Sequence, residues 1–135
     1  MNIDEVKEIL GLCYMLRAPK HIFITDEPVY EKRDGVQFYK GLQPSSRDDV
    51  IFLSAQADVT TVPHEVWHAN TGLGELTAYP VGNLLAIKYR LLSKFPAVKN
   101  LLSRKVEYVE ASSHSDFPQV EKFRGRVKHY TLVDR

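Results

Sequence analysis

The sequence predicts an α+β domain in which one helix precedes a small mixed β-sheet and two further helices follow the strands. Three observations predict this class. Apolar residues recur at three- and four-residue steps near the N-terminus, short β-branched and aromatic runs fill residues 21–54, and helical periodicity returns in the centre of the chain. A chain of 135 residues can bury a hydrophobic core in one domain. We therefore expect residues 1–135 to form a single domain.

The first element is expected to be a helix over residues 3–17. Its apolar positions share one face, and they are Val6, Ile9, Leu10, Cys13 and Leu16. Asn2 is predicted to be the N-cap, with Glu5 as its capping-box partner. Because a residue before proline disfavours helical geometry, Ala18 and Pro19 are expected to end the helix.

Strands are predicted next, from short runs rich in β-branched and aromatic residues. The candidate strands are residues 21–25, 29–30, 36–39 and 50–54. Asp34 and Gly35, between the middle two runs, form a hairpin turn signal. The run over residues 50–54 has the strongest strand pattern in the chain, and we expect it to be buried.

A helix through residues 64–70 is predicted to follow the strands. Thr60 or Thr61 can cap its N-terminus. Pro63 would lie in the first turn, where the missing backbone N–H of proline removes no helical hydrogen bond. Glycines at positions 72 and 74 are expected to end this helix.

A longer helix is predicted over residues 78–92, with Lys88 and Arg90 towards water. Its expected apolar stripe is Val81, Leu84, Leu85, Leu91 and Leu92. Beyond it, we expect a short helix starting near Ser115 and a terminal strand over residues 125–133.

Composition and charge exclude several classes of protein. Lys and Arg total 18 and Asp and Glu total 17, so the net charge of +1 argues against a nucleic-acid partner. No apolar run approaches about 18 residues, so no membrane span is expected. The charged N-terminal segment does not resemble a signal peptide, which predicts a cytoplasmic location. A single cysteine, Cys13, excludes an internal disulfide and a multi-cysteine zinc site, and it is expected in the core.

The segment that predicts chemistry is His64-Glu65-Val66-Trp67-His68, an H-E-x-x-H pattern. On a helix, residues four apart lie on one face, so His64 and His68 can both reach one metal ion. Glu65 would face a metal-activated water instead of the metal. Zinc suits this set because it accepts imidazole nitrogen and carboxylate oxygen. The pattern therefore predicts one Zn²⁺ ion.

A catalytic zinc takes a third protein ligand, and Glu75 is the leading candidate. In one straight helix, Glu75 would lie roughly 16 Å from His64, too far to share an ion. The chain must therefore bend, and residues 70–74, which contain two glycines, can provide the bend. Pro80 predicts that the second helix either begins near Thr77 or kinks.

The two segments together resemble a known family. His64–His68 followed by Glu75-Leu76-Thr77-Ala78 is similar to the gluzincin group of zinc metallopeptidases, above all to its small members and to peptidases that cleave phage repressors. In that group H-E-x-x-H lies on one helix, and a glutamate ligand, often in an E-x-x-A context, lies on the next. The resemblance covers roughly residues 50–92 and implies a zincin-like fold.

The resemblance also implies an activity and roles for the site residues. His64, His68 and Glu75 would bind one zinc ion. Glu65 would act as general base for a metal-activated water that hydrolyses peptide bonds of a protein or peptide substrate. The strand at residues 50–54 could hold an extended substrate by backbone pairing.

Further residues are candidates for the site without a motif of their own. Tyr79, His114 and Tyr130 could each stabilise the oxyanion, and His114 could also replace a ligand. His21 and His129 are expected to be structural or exposed.

Two other interpretations remain open from the sequence. In the first, the chain is a catalytically inactive zincin-like domain that acts as a regulatory or protein-binding module. In the second, it is an interaction module without a metal, in which His64 and His68 lie on a solvated helix face. Glu75 would then be an N-terminal glutamate favoured by the helix dipole.

Overall fold

The structure, a computed structural model, describes residues 1–26, 29–32, 36–39, 41–42, 48–111 and 127–133. Both helices and strands are present in this part of the chain, so the predicted α+β class is confirmed. The described elements, in chain order, are α1 (Ile3–Leu12), β1 (His21–Thr25), β2 (Val29–Lys32), β3 (Val36–Tyr39), β4 (Gly41–Leu42), β5 (Val50–Leu53), α2 (Thr61–Thr71), α3 (Glu75–Leu92), α4 (Pro96–Leu102), β6 (Tyr108–Ala111) and β7 (Val127–Leu132). Within these ranges, the search for a helix long and apolar enough to cross a membrane finds none.

Five of the described strands form one mixed sheet in the order β4-β5-β1-β7-β6. Strands β1 and β5 are parallel, and the other neighbours are antiparallel. The predicted hairpin strands β2 and β3 pair with each other in a separate sheet. The terminal strand is present as β7, whereas α4 and β6 were not predicted. The predicted short helix near Ser115 and the turn at Asp34 and Gly35 lie outside the described residues.

Helix α1 begins as predicted and ends five residues early. The Asn2 side chain accepts a hydrogen bond from the backbone N–H of Glu5 at 2.9 Å, which confirms the N-cap. At the other end, the Arg104 guanidinium donates to the backbone carbonyls of Leu10, Cys13 and Leu16. Arg104 therefore adds side-chain donors to carbonyls at and just beyond the end of the helix, which supports an end at Leu12 instead of residue 17.

The main hydrophobic core lies between the sheet and helices α1, α2 and α3. Its fully buried members include Ile9, Leu10, Ile51, Leu53, Val62 and Val66, and Cys13 belongs to it as predicted. Side chains alternate across a strand, so Phe52 in β5 points to the opposite face from Ile51 and Leu53. There it stacks on Phe23 with ring centroids 4.8 Å apart. Both faces of the sheet centre are therefore buried.

The N-terminus of α2 is capped by a residue that the sequence did not single out. One carboxylate oxygen of Asp58 accepts hydrogen bonds from the backbone N–H groups of Thr60 and Thr61, at 3.0 and 3.3 Å. It also accepts from both threonine hydroxyls. Thr60 occupies the N-cap position, as predicted, but its side chain makes no capping hydrogen bond to the helix. Pro63 lies in the first turn as expected.

Helix α3 begins at Glu75, earlier than the predicted start at residue 78, and it contains Pro80. The proline ring removes the hydrogen bond that the Leu76 carbonyl would otherwise accept. Pro80 and Leu76 are both exposed, so water can hydrate this carbonyl and the helix tolerates the proline.

The inner face of α3 also differs from the predicted stripe. Its buried residues are Ala78, Gly82, Leu85 and Ala86, whereas Leu84 and Leu91 are exposed. The Lys88 ammonium donates to the Leu12 carbonyl at 3.0 Å, so it covers α1 instead of facing water. Small residues allow α3 to approach the helix beneath it closely, and the larger apolar residues lie outside.

Candidate metal centre

Helix α2 places the two motif histidines one turn apart, with both rings at the protein surface but largely buried. The Nε2 atoms of His64 and His68 are 3.2 Å apart, and the rings meet edge to face with centroids 4.8 Å apart. Burial lowers the pKa of His64 below its usual value, although the Glu75 carboxylate acts in the opposite direction. A neutral imidazole is the form that binds a metal ion.

The chain reverses direction directly after α2. Gly72 adopts the left-handed conformation at φ 69°, and its backbone N–H donates to the His68 carbonyl at 2.9 Å. A glycine at this position avoids the steric cost of a Cβ atom. Gly74 then enters α3 in extended geometry. The bend predicted for residues 70–74 is therefore present.

A side-chain bridge closes this turn. The Trp67 indole N–H donates to the Thr77 hydroxyl oxygen at 3.0 Å, and that hydroxyl donates to the Gly74 carbonyl at 3.0 Å. The bridge joins the middle of α2 to the first turn of α3. It therefore fixes the position from which Glu75 projects.

The reversal brings the Glu75 carboxylate to both histidines. Its Oε1 is 2.6 Å from His68 Nε2, and its Oε2 is 3.1 Å from His64 Nε2. Bonds from zinc to nitrogen and oxygen of about 2.0–2.2 Å put neighbouring tetrahedral ligand atoms about 3.3–3.5 Å apart. The separations of 3.2 and 3.1 Å are close to this spacing, whereas the 2.6 Å contact of Glu75 Oε1 with His68 Nε2 has the length of a hydrogen bond and would have to lengthen around an ion.

A backbone carbonyl fixes the orientation of the His68 ring. Its Nδ1 lies 2.7 Å from the Leu73 carbonyl oxygen, which can only accept a hydrogen bond. Nδ1 therefore donates a hydrogen bond to this carbonyl, and Nε2 is the ring nitrogen that faces Glu75 and His64. A backbone carbonyl in this role is a common outer-shell partner of metal-binding histidines.

Glu65 is only 6% exposed, and its carboxylate lies beside the His64 ring. Its Oε1 is 3.6 Å from His64 Nε2, farther than either Glu75 contact. Burial raises the pKa of Glu65 to about 8, and the negative charge of Glu75 adds to the shift. A nearby cation would oppose both effects. His64, Glu65 and His68 also offer ligand atoms within 4.8 Å of one another, so this trio is a second possible ligand set.

Two glycines permit the close packing around these side chains. A Cβ atom on Gly82 of α3 would lie 3.0 Å from the Thr60 carbonyl oxygen and 3.2 Å from the His64 Cβ. A Cβ on Gly41 of β4 would lie 2.9 Å from the Glu65 Cγ. Sequence reasoning missed both positions, because neither lies in a motif or a turn pattern.

The remaining candidate residues have different outcomes. Tyr79 lies beside the site, with its ring centroid 4.6 Å from that of His64. Tyr130 lies on β7 and packs against the main core, and β1 separates β7 from β5, so the structure does not bring it to the histidines. His114 lies outside the described residues.

The expected substrate strand is already occupied along part of its length. Phe52 and Leu53 of β5 pair with β1 on one side and β4 on the other. Their backbone groups therefore cannot also pair with a substrate, and the prediction that residues 50–54 hold it is wrong at these two positions. In the described residues, β4 ends the sheet on this side.

Comparisons with protein-family models, with curated proteins and with solved structures found no match.

Proposed function

We propose that this chain hydrolyses peptide bonds with a single zinc ion bound by His64, His68 and Glu75. One observation carries the proposal. The Glu75 carboxylate, brought back by the turn, contacts the Nε2 atoms of both histidines at 2.6 and 3.1 Å. In a pair of helix histidines that faced only solvent, no carboxylate from the next helix would lie beside both Nε2 atoms.

The donor set fits zinc. Two imidazole nitrogens and one carboxylate oxygen form the His₂Glu set that catalytic zinc sites use, with a fourth position left for water or substrate. When bound, zinc supplies Lewis acidity, lowering the pKa of a water and polarising a carbonyl. The outer-shell contact of His68 with the Leu73 carbonyl supports the same assignment.

Glu65 is the residue that we assign to proton transfer. It follows His64 directly, its carboxylate borders the histidines, and it lies farther from His64 Nε2 than Glu75 does. The buried site withholds solvent from this carboxylate and favours its accepting a proton. Glu65 would take a proton from the attacking water and return it to the leaving amine.

The substrate would lie along the outer side of β4. This short strand is next to α2, and Gly41 in it lies against Glu65. An extended peptide can add to such an edge by backbone hydrogen bonds. Tyr79, exposed beside His64, is the described residue best placed to donate a hydrogen bond to the developing oxyanion. A protein or peptide substrate also agrees with the net charge of +1.

Replacement of the base tests the mechanism. Glu65→Gln should retain zinc, because Glu65 is not a ligand, and should lower hydrolysis by at least about 100-fold. The assay is cleavage of a randomised peptide library by zinc-loaded protein, with zinc content measured on the same samples. Equal cleavage by wild type and variant would contradict the assigned role.

The same assay separates the alternatives. A wild-type protein that holds zinc and cleaves no member of the library would support an inactive, regulatory zincin-like domain. A wild-type protein that does not bind zinc would support an interaction module in which the motif has no metal.

A further inference from the structure

The outer face of α3 carries an apolar stripe that the core does not use. The α3 stripe consists of Leu76, Pro80, Leu84, Ile87 and Leu91, all of them exposed. The leucines and the isoleucine expose between 56% and 95% of their surface. In contrast, the inner face of the same helix is formed largely by alanine and glycine. Exposed apolar surface of this kind commonly marks an interaction site.

The spacing of the α3 stripe selects the kind of partner. Its members are separated by four, four, three and four residues, which is nearly the same order in reverse. A second α3 running antiparallel would place Leu84 against Leu84, Pro80 against Ile87, and Leu76 against Leu91. Each apolar residue would meet another, as the self-complementarity of a two-fold interface requires.

The charges along α3 favour the same direction. Basic residues gather at one end of the helix, where Arg90 lies in the last turn and Lys94 follows just after it. Two antiparallel copies would keep these basic ends apart and would also oppose the two helix dipoles. Parallel copies would place the basic ends together.

The α3 stripe supplies a large part of the area that a dimer interface needs. The exposed parts of the α3 stripe amount to roughly 500–600 Å², the upper end for the largest patch of a monomeric protein. A standard interface takes about 800 Å² on each partner. Further exposed apolar residues follow α3 in the chain, namely Phe95, Val98, Leu101 and Leu102.

We propose that two copies of this chain form a two-fold dimer in which the α3 stripe of one packs antiparallel on that of the other, centred on Leu84. The α3 stripe shares no residue with the proposed ligand set. Failure of the dimer proposal can therefore be distinguished from failure of the zinc proposal.

Sedimentation velocity on the full chain tests the proposal. The wild type should sediment as a dimer of twice 15.5 kDa. Leu84→Lys should raise the dimer dissociation constant by at least about 100-fold, since it places two cations at the centre of the interface. Val109→Lys is the matched control, because Val109 is 56% exposed on the edge strand β6 and not on α3, and this variant should remain dimeric. Circular dichroism shows whether both variants are folded.

A monomeric wild type at 100 µM would overturn the proposal and would indicate that a different protein binds the α3 stripe. Leu84→Lys that dimerises as tightly as wild type would also overturn it. Spin labels then test the direction. Labels at Asn83→Cys should lie about 24 Å closer along the helix axis than labels at Ser93→Cys in an antiparallel pair. Equal separations at both positions would indicate parallel packing and contradict the arrangement.

Discussion

In the described residues, two pairs of histidines bring their ring nitrogens within 3.2 Å, one pair on helix α2 and the other across strands β1 and β7. His64 and His68 come from successive turns of one helix, and the Glu75 carboxylate reaches both. His21 Nδ1 lies 3.0 Å from His129 Nε2. His129 is only 5% exposed, and its ring stacks on Phe23 with centroids 4.3 Å apart.

The difference between the pairs is what surrounds the nitrogens. Together with Glu65, the α2 pair belongs to a group of three potential ligand residues, the one such group found in the described part of the chain. The strand pair lies in an aromatic stack that continues from Phe23 to Phe52. Among the described contacts, the α2 pair therefore has carboxylates beside its nitrogens, and the strand pair has aromatic rings beside it. The carboxylate returned by the turn is the more informative feature.

The largest expected effect comes from removing one ring from each pair. His64→Ala should weaken zinc binding by about 100-fold or more, since each ligand supplies a substantial part of the affinity of a zinc site. His129→Ala should leave zinc affinity unchanged and lower the free energy of unfolding by about 3 kcal/mol, because it opens a cavity beside Phe23. Zinc titration against a competing chelator and urea unfolding measure the two effects. Equal losses of zinc affinity in the two variants would remove the distinction between the pairs.

A smaller loss of zinc affinity is expected when a substitution forces α3 away from α2. Gly82→Ala adds a Cβ atom 3.0 Å from the Thr60 carbonyl and 3.2 Å from the His64 Cβ. The helices must separate by a few tenths of an ångström, which moves Glu75 relative to the histidines. We expect zinc affinity to fall by about 10-fold, the scale of an outer-shell change.

Asn83→Ala is the matched control for this variant, because Asn83 is the exposed neighbour of Gly82 on the same helix. It should bind zinc as the wild type does. An unchanged zinc affinity in Gly82→Ala would show that the close approach of the helices does not position Glu75.

The smallest effect should come from the bridge across the turn. Thr77→Val removes the acceptor of the Trp67 indole N–H and the donor to the Gly74 carbonyl. Without them the first turn of α3 is held less firmly, and zinc affinity should fall about 3-fold to 10-fold. Thr77→Ser retains the hydroxyl and should restore binding in the same chelator titration. A serine variant as weak as the valine variant would assign the loss to packing instead of the hydrogen bonds.

The sequence predicts most of the fold where local patterns are strong. The Asn2 cap, the run that forms β5 and the bend around Gly72 all follow from residue types that favour one backbone geometry. Helix α4 and strand β6 were missed, because α4 has no buried residue and the burial pattern of β6 does not alternate. The early end of α1 is supported by Arg104, about 90 residues away in sequence, which no local pattern can predict.

In the candidate site, too, the sequence predicts some features and misses others. The spacing of His64 and His68 predicts their shared face, and the impossibility of a straight helix to Glu75 predicts a bend. The contacts of Gly82 and Gly41 could not be predicted, since they depend on how α3 and β4 approach α2. In the predicted apolar face of α3, Val81 and Leu85 do pack inward, but Leu84 and Leu91 are exposed. Those two were assigned to the inner face because they are apolar and lie at helical spacing, yet this helix turns mainly small residues inward.

The most direct test of the account is the zinc content of the purified chain, compared between wild type, Glu75→Ala and Glu65→Gln. We predict one zinc per chain in wild type and in Glu65→Gln, and a large loss in Glu75→Ala, because Glu75 and not Glu65 completes the ligand set. Loss of zinc in Glu65→Gln together with full retention in Glu75→Ala would contradict this assignment. It would favour the trio of His64, Glu65 and His68 instead.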